Sequence, residues 1–227
     1  WYVDALSDDG RHALTLIAFV GSVFSPYYRR AWRRGQAQAE DHCAINVCLY
    51  SPGQGRWAMT ERSSTCLSRG PHHYQLGPSS WAWQHDHLAI ELNEWCNPVP
   101  RRVRGVVRVH PLGLSTFATP LDPAGRHRWG PIAPSARVEV ALESPALRWQ
   151  GHAYVDSNEG DEPITQSFQS WDWMRASLRD RSTVVAYDVT PHQPGPPRLI
   201  GVQFTPDGRA QEVSLGAREA LPRTRCG

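Results

Sequence analysis

The chain has 227 residues, 40% of them hydrophobic and 20% charged, with a formal net charge of +2. That is enough chain to bury one large β core or two smaller ones, and the composition excludes disorder. All 24 basic residues are arginine, which excludes Schiff-base chemistry on lysine and the P-loop lysine, and so small a net charge excludes a general nucleic-acid binder.

Eighteen glycines, 19 prolines and only two methionines read as many short strands joined by turns. The chain opens at Trp1 without methionine or a charged leader, in what reads as mid-strand, so a trimmed start is expected and no signal peptide. Ser7-Asp8-Asp9-Gly10 is the first turn signal. The uncharged run Ala13 to Tyr28 is 16 residues long and broken by Gly21, Ser22, Ser25 and Pro26, poorly suited to spanning a bilayer. Arg29-Arg30-Ala31-Trp32-Arg33-Arg34 follows. It is either a solvated loop or a contact for anionic lipid head groups, each basic residue adding about 1 kcal/mol near such a surface.

Further along, strict alternation marks half-buried strands at Leu88–Leu92, Val103–Val109 and Val138–Leu142. The turn Asp122-Pro123-Ala124-Gly125 lies between the last two, and Pro131 to Ser135 punctuates the middle of the chain. We place a module boundary near residue 145, giving an N-terminal β module over 1–145 and a second over 146–227. The second is read as partial if the chain is cut down. Ser167 to Leu178 is a strand with Trp171 and Trp173 on one face, or a short helical turn; periodicity does not decide. Val184–Val189 and Leu199–Phe204 are strand candidates on either side of the proline-rich loop Pro191–Pro197. Thr205-Pro206-Asp207-Gly208 is the last turn signal.

Cys43, Cys48, Cys66, Cys96 and Cys226 form no CxxC pair. The odd count favours a reducing compartment, and the ending Arg225-Cys226-Gly227 does not fit a prenylation box. No GxSxG, GxGxxG, HExxH or EF-hand pattern is present. His72-His73 and the strand-spaced His85 and His87 lack a matching third ligand, so no metal site is expected.

Two segments carry candidate chemistry. If Trp149 to Asp156 is a strand, His152, Tyr154 and Asp156 share one face, and Trp149, Gly151, Ala153 and Val155 form a packing face. In Arg126-His127-Arg128-Trp129-Gly130-Pro131, His127 and Trp129 likewise share a face. A solvent-facing edge and a surface hairpin are the alternatives on spacing alone. Ten tryptophans suit β packing or the binding of large apolar ligands.

Tyr2 to Gly10, Phe19 to Pro26, His127 to Pro134, Gly151 to Gly160 and Trp171-Asp172-Trp173 together resemble the acyclic carotenoid 1,2-hydratases, also called hydroxyneurosporene synthases, over nearly the whole chain. Members usually extend further than this chain at one or both ends. The resemblance implies an all-β fold of two lipocalin- or calycin-like barrel or sandwich modules. It also implies hydration of the terminal double bond of an acyclic carotene such as neurosporene or lycopene, giving a tertiary alcohol, with no organic cofactor or metal.

The family's catalytic residues match Asp156, Tyr154, His127 and Trp129. For an alkene hydration, Asp156 is the expected acid and Trp129 the expected cation stabiliser. Tyr154 is expected to assist either, and His127 to hold and deprotonate the water. Trp171, Trp173 and His152 are expected to bind substrate. The expected partners are the carotene, water and an anionic membrane surface, in a cytoplasmic and peripherally membrane-associated protein. A cofactor-free pericyclase and a non-catalytic lipid or carotenoid carrier are the competing readings, since fold does not establish function.

Overall fold

Three glycine turns set the first, middle and last hairpins. Gly10, Gly125 and Gly208 adopt φ of 68°, 68° and 89°, the left-handed region that glycine enters without steric cost. In the computed structural model, which describes residues 1–193 and 195–216, each falls between strands as the turn chemistry predicts. Cys226 and the terminal Arg225-Cys226-Gly227 lie outside the described residues.

In chain order the first strands are β1 (Tyr2–Ser7), β2 (Ala13–Phe19), β3 (Cys43–Tyr50), β4 (Arg56–Arg62), β5 (Leu67–Gly70) and β6 (His73–Leu76). They are followed by β7 (Ser79–Trp83), β8 (Leu88–Trp95), β9 (Arg102–Pro111), β10 (Thr119–Pro120), β11 (His127–Ser144) and β12 (Leu147–Gly160). These twelve form one antiparallel sheet, a nearly closed barrel in the order β4-β3-β2-β1-β12-β11-β9-β8-β7-β6-β5, with β10 added on β11. The alternating residues Leu88, Ile90, Leu92, Val107 and Val138 all point into its core, so the fold is all-β, as the alternation predicts. Trp149 packs partly buried against this core and stacks on His12, ring centroids 6.3 Å apart.

A second sheet follows: β13 (Phe168–Ser177), β14 (Thr183–Pro191), β15 (Arg198–Phe204) and β16 (Ala210–Glu212), paired in sequence order. Residues 167–178, ambiguous by periodicity, are the end of a one-turn helix, α2 (Ile164–Ser167), and strand β13. The second sheet covers the outer face of β1, β11 and β12. Between them lies a second core in which Trp129 and Tyr154 of the large sheet meet Phe168, Tyr187 and Phe204 of the small one. The Arg175 guanidinium grips both carboxylate oxygens of Asp4 across the two sheets. Ser135 adds a hydrogen bond from its Oγ to the Arg181 carbonyl, 2.9 Å away.

Residue 145 lies at the tip of the β11–β12 hairpin, where Leu142 pairs with Leu147. β12 pairs along its length with β1 as well as β11, so the chain changes sheet after Gly160, not at the expected boundary near 145. The basic cluster is likewise not a loop. It belongs to α1 (Pro26–Arg33), started by Pro26 in its first turn and by Ser25, whose Oγ accepts the Tyr28 N–H at 2.9 Å.

Inside the barrel Glu94 is fully buried. It accepts both Arg62 amino groups, at 3.2 and 2.9 Å, and the Ser79 hydroxyl at 2.7 Å. Removing the arginine strands a buried charge. Arg62→Met is expected to destabilise the protein by about 3 kcal/mol. Adding Glu94→Gln should recover part of that loss in chemical denaturation, whereas a loss unchanged by the second substitution would mean the pair is not coupled.

Candidate active site

The Tyr154 and Asp156 side chains project from β12 towards the second sheet, while Ala153 and Val155, between and before them, enter the barrel core. Asp156 is 1% exposed. Its Oδ2 accepts the Trp129 indole N–H at 2.9 Å and the Tyr154 hydroxyl at 2.9 Å. Among the described residues its Oδ1 has the Asn158 amide nitrogen as hydrogen-bond partner, at 3.5 Å. Burial pushes the Asp156 carboxyl up to about 6, with the Trp129 and Tyr154 hydrogen bonds holding it back.

Trp129 is 1% exposed, with its ring enclosed by Phe117, Tyr187 and Phe204 at centroid distances of 5.8, 5.0 and 6.2 Å. A ring packed on these sides supports the acid; it does not present a free face to a ligand, as the cation-stabilising expectation requires. Tyr154 is fully buried, lies under the Arg175 guanidinium and packs against Trp173 at 5.7 Å. Both supports therefore stand behind the carboxyl.

In front of it is a cavity of about 550 Å³ whose wall includes Asp156, His127, Tyr2, Trp171, Trp173 and Tyr187. The segment between β2 and α1 and the helix itself complete the rim with Val23, Phe24, Tyr28 and Trp32. His127 is buried; its backbone N–H is fixed by Asp122 Oδ2 at 2.7 Å, and its ring lies 4.8 Å from that of Phe168. Among the described residues its Nε2 has no hydrogen-bond partner, with Glu162 Oε1 3.9 Å away, and burial lowers the pKa of the ring. Gly160 opposite makes this possible, because a Cβ there would come within 2.8 Å of the His127 Nδ1.

A family model described as "Carotenoid hydratase CrtC" matches residues 16–226. The chain belongs to this family. It is 52% identical over 228 residues to the acyclic carotenoid 1,2-hydratase of Rubrivivax gelatinosus and 49% identical over 224 residues to that of Thiocapsa roseopersicina. Each alignment covers 99% of this chain but only 55% of the relative, so the chain spans about half the length of these relatives. The Cereibacter sphaeroides protein of the same name is 36% identical over 92% of this chain and 73% of its own length. Among solved structures, an AttH protein of Nitrosomonas europaea is 14% identical, with a TM-score of 0.60 over 93% of this chain and 66% of that one. That likeness concerns the fold alone.

In this CrtC-family chain, Asp156, Tyr154, Trp129, His127, Trp171 and Trp173 gather at one junction of the two sheets. His152 does not. It shares the alternating face but lies beyond the second sheet, exposed, 3.6 Å from Asp8 and 3.4 Å from Arg137. His85 and His87 lie in the bend between β7 and β8, not on a strand. His87 and His110 do find a third partner in Asp86, the potential ligand atoms lying within 4.8 Å of one another. This trio sits level with His152, along the row His110–Arg137–His152, away from the Asp156 cavity.

Sequence reasoning missed Asn158 and Tyr187. Extending the alternation from Asp156 by two residues finds Asn158; nothing local points to Tyr187, which arrives from β14.

A carboxyl with a raised pKa costs stability once it ionises. The penalty is absent below the ordinary aspartate range and grows as pH rises from about 4 through about 6. Asp156→Asn is therefore expected to be more stable than the native chain above pH 7, by up to about 3 kcal/mol. The difference should vanish below about pH 4. Equal stability of the two at high pH would contradict the raised value.

Proposed function

We propose that this chain carries the active site of a carotenoid 1,2-hydratase, which adds water across the terminal double bond of an acyclic carotene such as neurosporene or lycopene. The names of its relatives support the substrate class. The observation that carries the mechanism is a fully buried carboxyl, raised to about 6, facing an aromatic-walled cavity. At pH 7 roughly a tenth of such a group is protonated, against about a thousandth for an ordinary aspartate.

Both lone pairs of Asp156 Oδ2 are engaged, so the acidic proton is carried on Oδ1. Asp156 gives it to the less substituted alkene carbon, leaving a tertiary cation. The cavity-lining rings of Trp171, Trp173 and Tyr2 shelter that charge, a stabilisation of up to about 2 kcal/mol for a desolvated cation over a tryptophan. Water then bonds to the cationic carbon. His127, kept neutral by burial and with Nε2 unengaged among the described residues, accepts the proton the water releases. No step in this account draws on a metal or an organic cofactor.

Asp156→Asn is expected to fold and to form no alcohol on incubation with lycopene, read by mass. Hydration adds one water, whereas cyclisation or simple carriage leaves the mass unchanged. In the native chain, activity should fall about tenfold per unit as pH rises well past 6. Trp129→Phe removes a donor to the ionised form, so it should move that falling limb to higher pH, by roughly one to two units for a hydrogen bond to a charged group. A limb that stays in place would detach Trp129 from the acid.

We also propose that the cavity rim docks on an anionic membrane, where so apolar a substrate resides. Phe24 is 66% and Tyr27 70% exposed, next to the α1 arginines Arg29, Arg30 and Arg33 and the following Arg34. Among the described residues no helix is long and apolar enough to cross a membrane. Binding to vesicles containing phosphatidylglycerol should weaken with salt and fall in a Phe24→Ser/Tyr27→Ser variant. Binding indifferent to salt and to this substitution would refute the docking.

A further inference from the structure

Alkene hydration needs two things delivered to adjacent carbons: a proton, and an oxygen held ready before the cation can lose a proton again. Asp156 accounts for the first. The second calls for a place where water is held beside the aromatic part of the cavity.

Such a place exists on β12. Beside the 550 Å³ cavity lies a larger one of about 1060 Å³, whose wall carries Gln38, Glu40, Asp41, Ser64, Arg69 and His73. The walls they share include the polar residues Arg128, Asn158 and Glu159, together with Gly160, Trp1 and three aliphatic side chains. One is walled by aromatic rings around the acid and the other is polar, and Asn158 stands on the seam. It is solvent-accessible, unlike Tyr154 and Asp156, the two preceding members of its alternating face.

Asn158 is also aimed. The Tyr187 hydroxyl, from the second sheet, donates to its Oδ1 at 2.9 Å, and its Nδ2 lies 3.5 Å from Asp156 Oδ1, the oxygen that carries the proton. Anchored at both ends, the amide retains one lone pair on Oδ1 and one hydrogen on Nδ2 for another partner. On the neighbouring strand, Trp129 pairs directly with Asn158 and His127 with Gly160, so His127 is the diagonal cross-strand neighbour of Asn158. Diagonal pairs lie about 7–8 Å apart at Cα, so side chains reaching towards each other can close to the roughly 5.5 Å that one water bridges with two hydrogen bonds.

We propose that Asn158, held by Tyr187, seats the nucleophilic water, which enters from the polar cavity. The inference rests on the hydratase reading. Asn158 Oδ1 accepts one O–H of the water, which turns an oxygen lone pair towards the cationic carbon. The C–O bond forms from that pair, and the water's other proton passes to His127 Nε2. Proton delivery and water delivery are then separate tasks of neighbouring residues on one strand. Asn158 and Tyr187 are positioning residues, not the source of the proton.

The separation gives a readout that mere structural damage would not. In D2O, Asp156 delivers deuterium to the alkene. If no water is seated, the cation returns a proton to the Asp156 carboxylate, and the alkene is recovered deuterated. Asn158→Leu is therefore expected to lose alcohol formation about 100-fold, the penalty of a misplaced reactant, while deuterated alkene accumulates. Tyr187→Phe, a near-isosteric change in the core, should shift the same partition less far.

If Asn158→Leu stays folded, by thermal melt, and loses deuterium uptake together with alcohol, Asn158 serves the acid and the water seat is refuted. Undiminished alcohol in both variants refutes it too. Should the native chain itself yield neither alcohol nor deuterated alkene, the hydratase reading fails first, and this inference falls with it.

Discussion

One carboxyl removed from water organises the candidate site of this protein. Asp156 is buried between two sheets, and its burial is tolerated because Trp129 and Tyr154 satisfy one of its oxygens. The opposing effects leave it near 6. Burial without the two donors would leave it higher and mostly neutral; the donors without burial would leave an ordinary carboxylate, nearly always ionised at pH 7.

The architecture follows from that requirement. The barrel interior is filled by apolar side chains, and the candidate site stands on the outer face of β1, β11 and β12. A second sheet is needed there to exclude water. Phe168, Tyr187 and Phe204 supply the lid of the second core, and the Arg175–Asp4 pair and the Ser135 bond tie it down. The junction is sealed around Trp129 and Tyr154 and left open in front of Asp156, where the cavity reaches α1. In the proposed reaction this sidedness keeps the supports of the acid dry and the reacting edge accessible.

Much of the fold is legible in the chain by itself. Half-buried strands announce themselves by alternation, since side chains of a pleated strand point alternately to two faces; the segments beginning at Leu88, Val103 and Val138 all obey it. Gly10, Gly125 and Gly208 mark turns because only glycine enters that backbone region cheaply. The grouping of Tyr154 with Asp156, and of His127 with Trp129, follows from the same two-residue period. The motif resemblance pointed to the family that the comparisons then established.

What alternation does not carry is how far along a face the covering extends. His152 lies on the same face as Asp156 and remains in solvent, because the second sheet stops short of it. The partner of Trp129 was equally out of reach of local pattern: an indole N–H on β11 and a carboxyl on β12 meet through strand register, and the ring's faces are taken by residues from β14 and β15. Residues on one strand thus fixed which groups look the same way. Only the docking of the second sheet decided which of them lost water, since desolvation is a property of everything packed around a group and not of its neighbours in the chain.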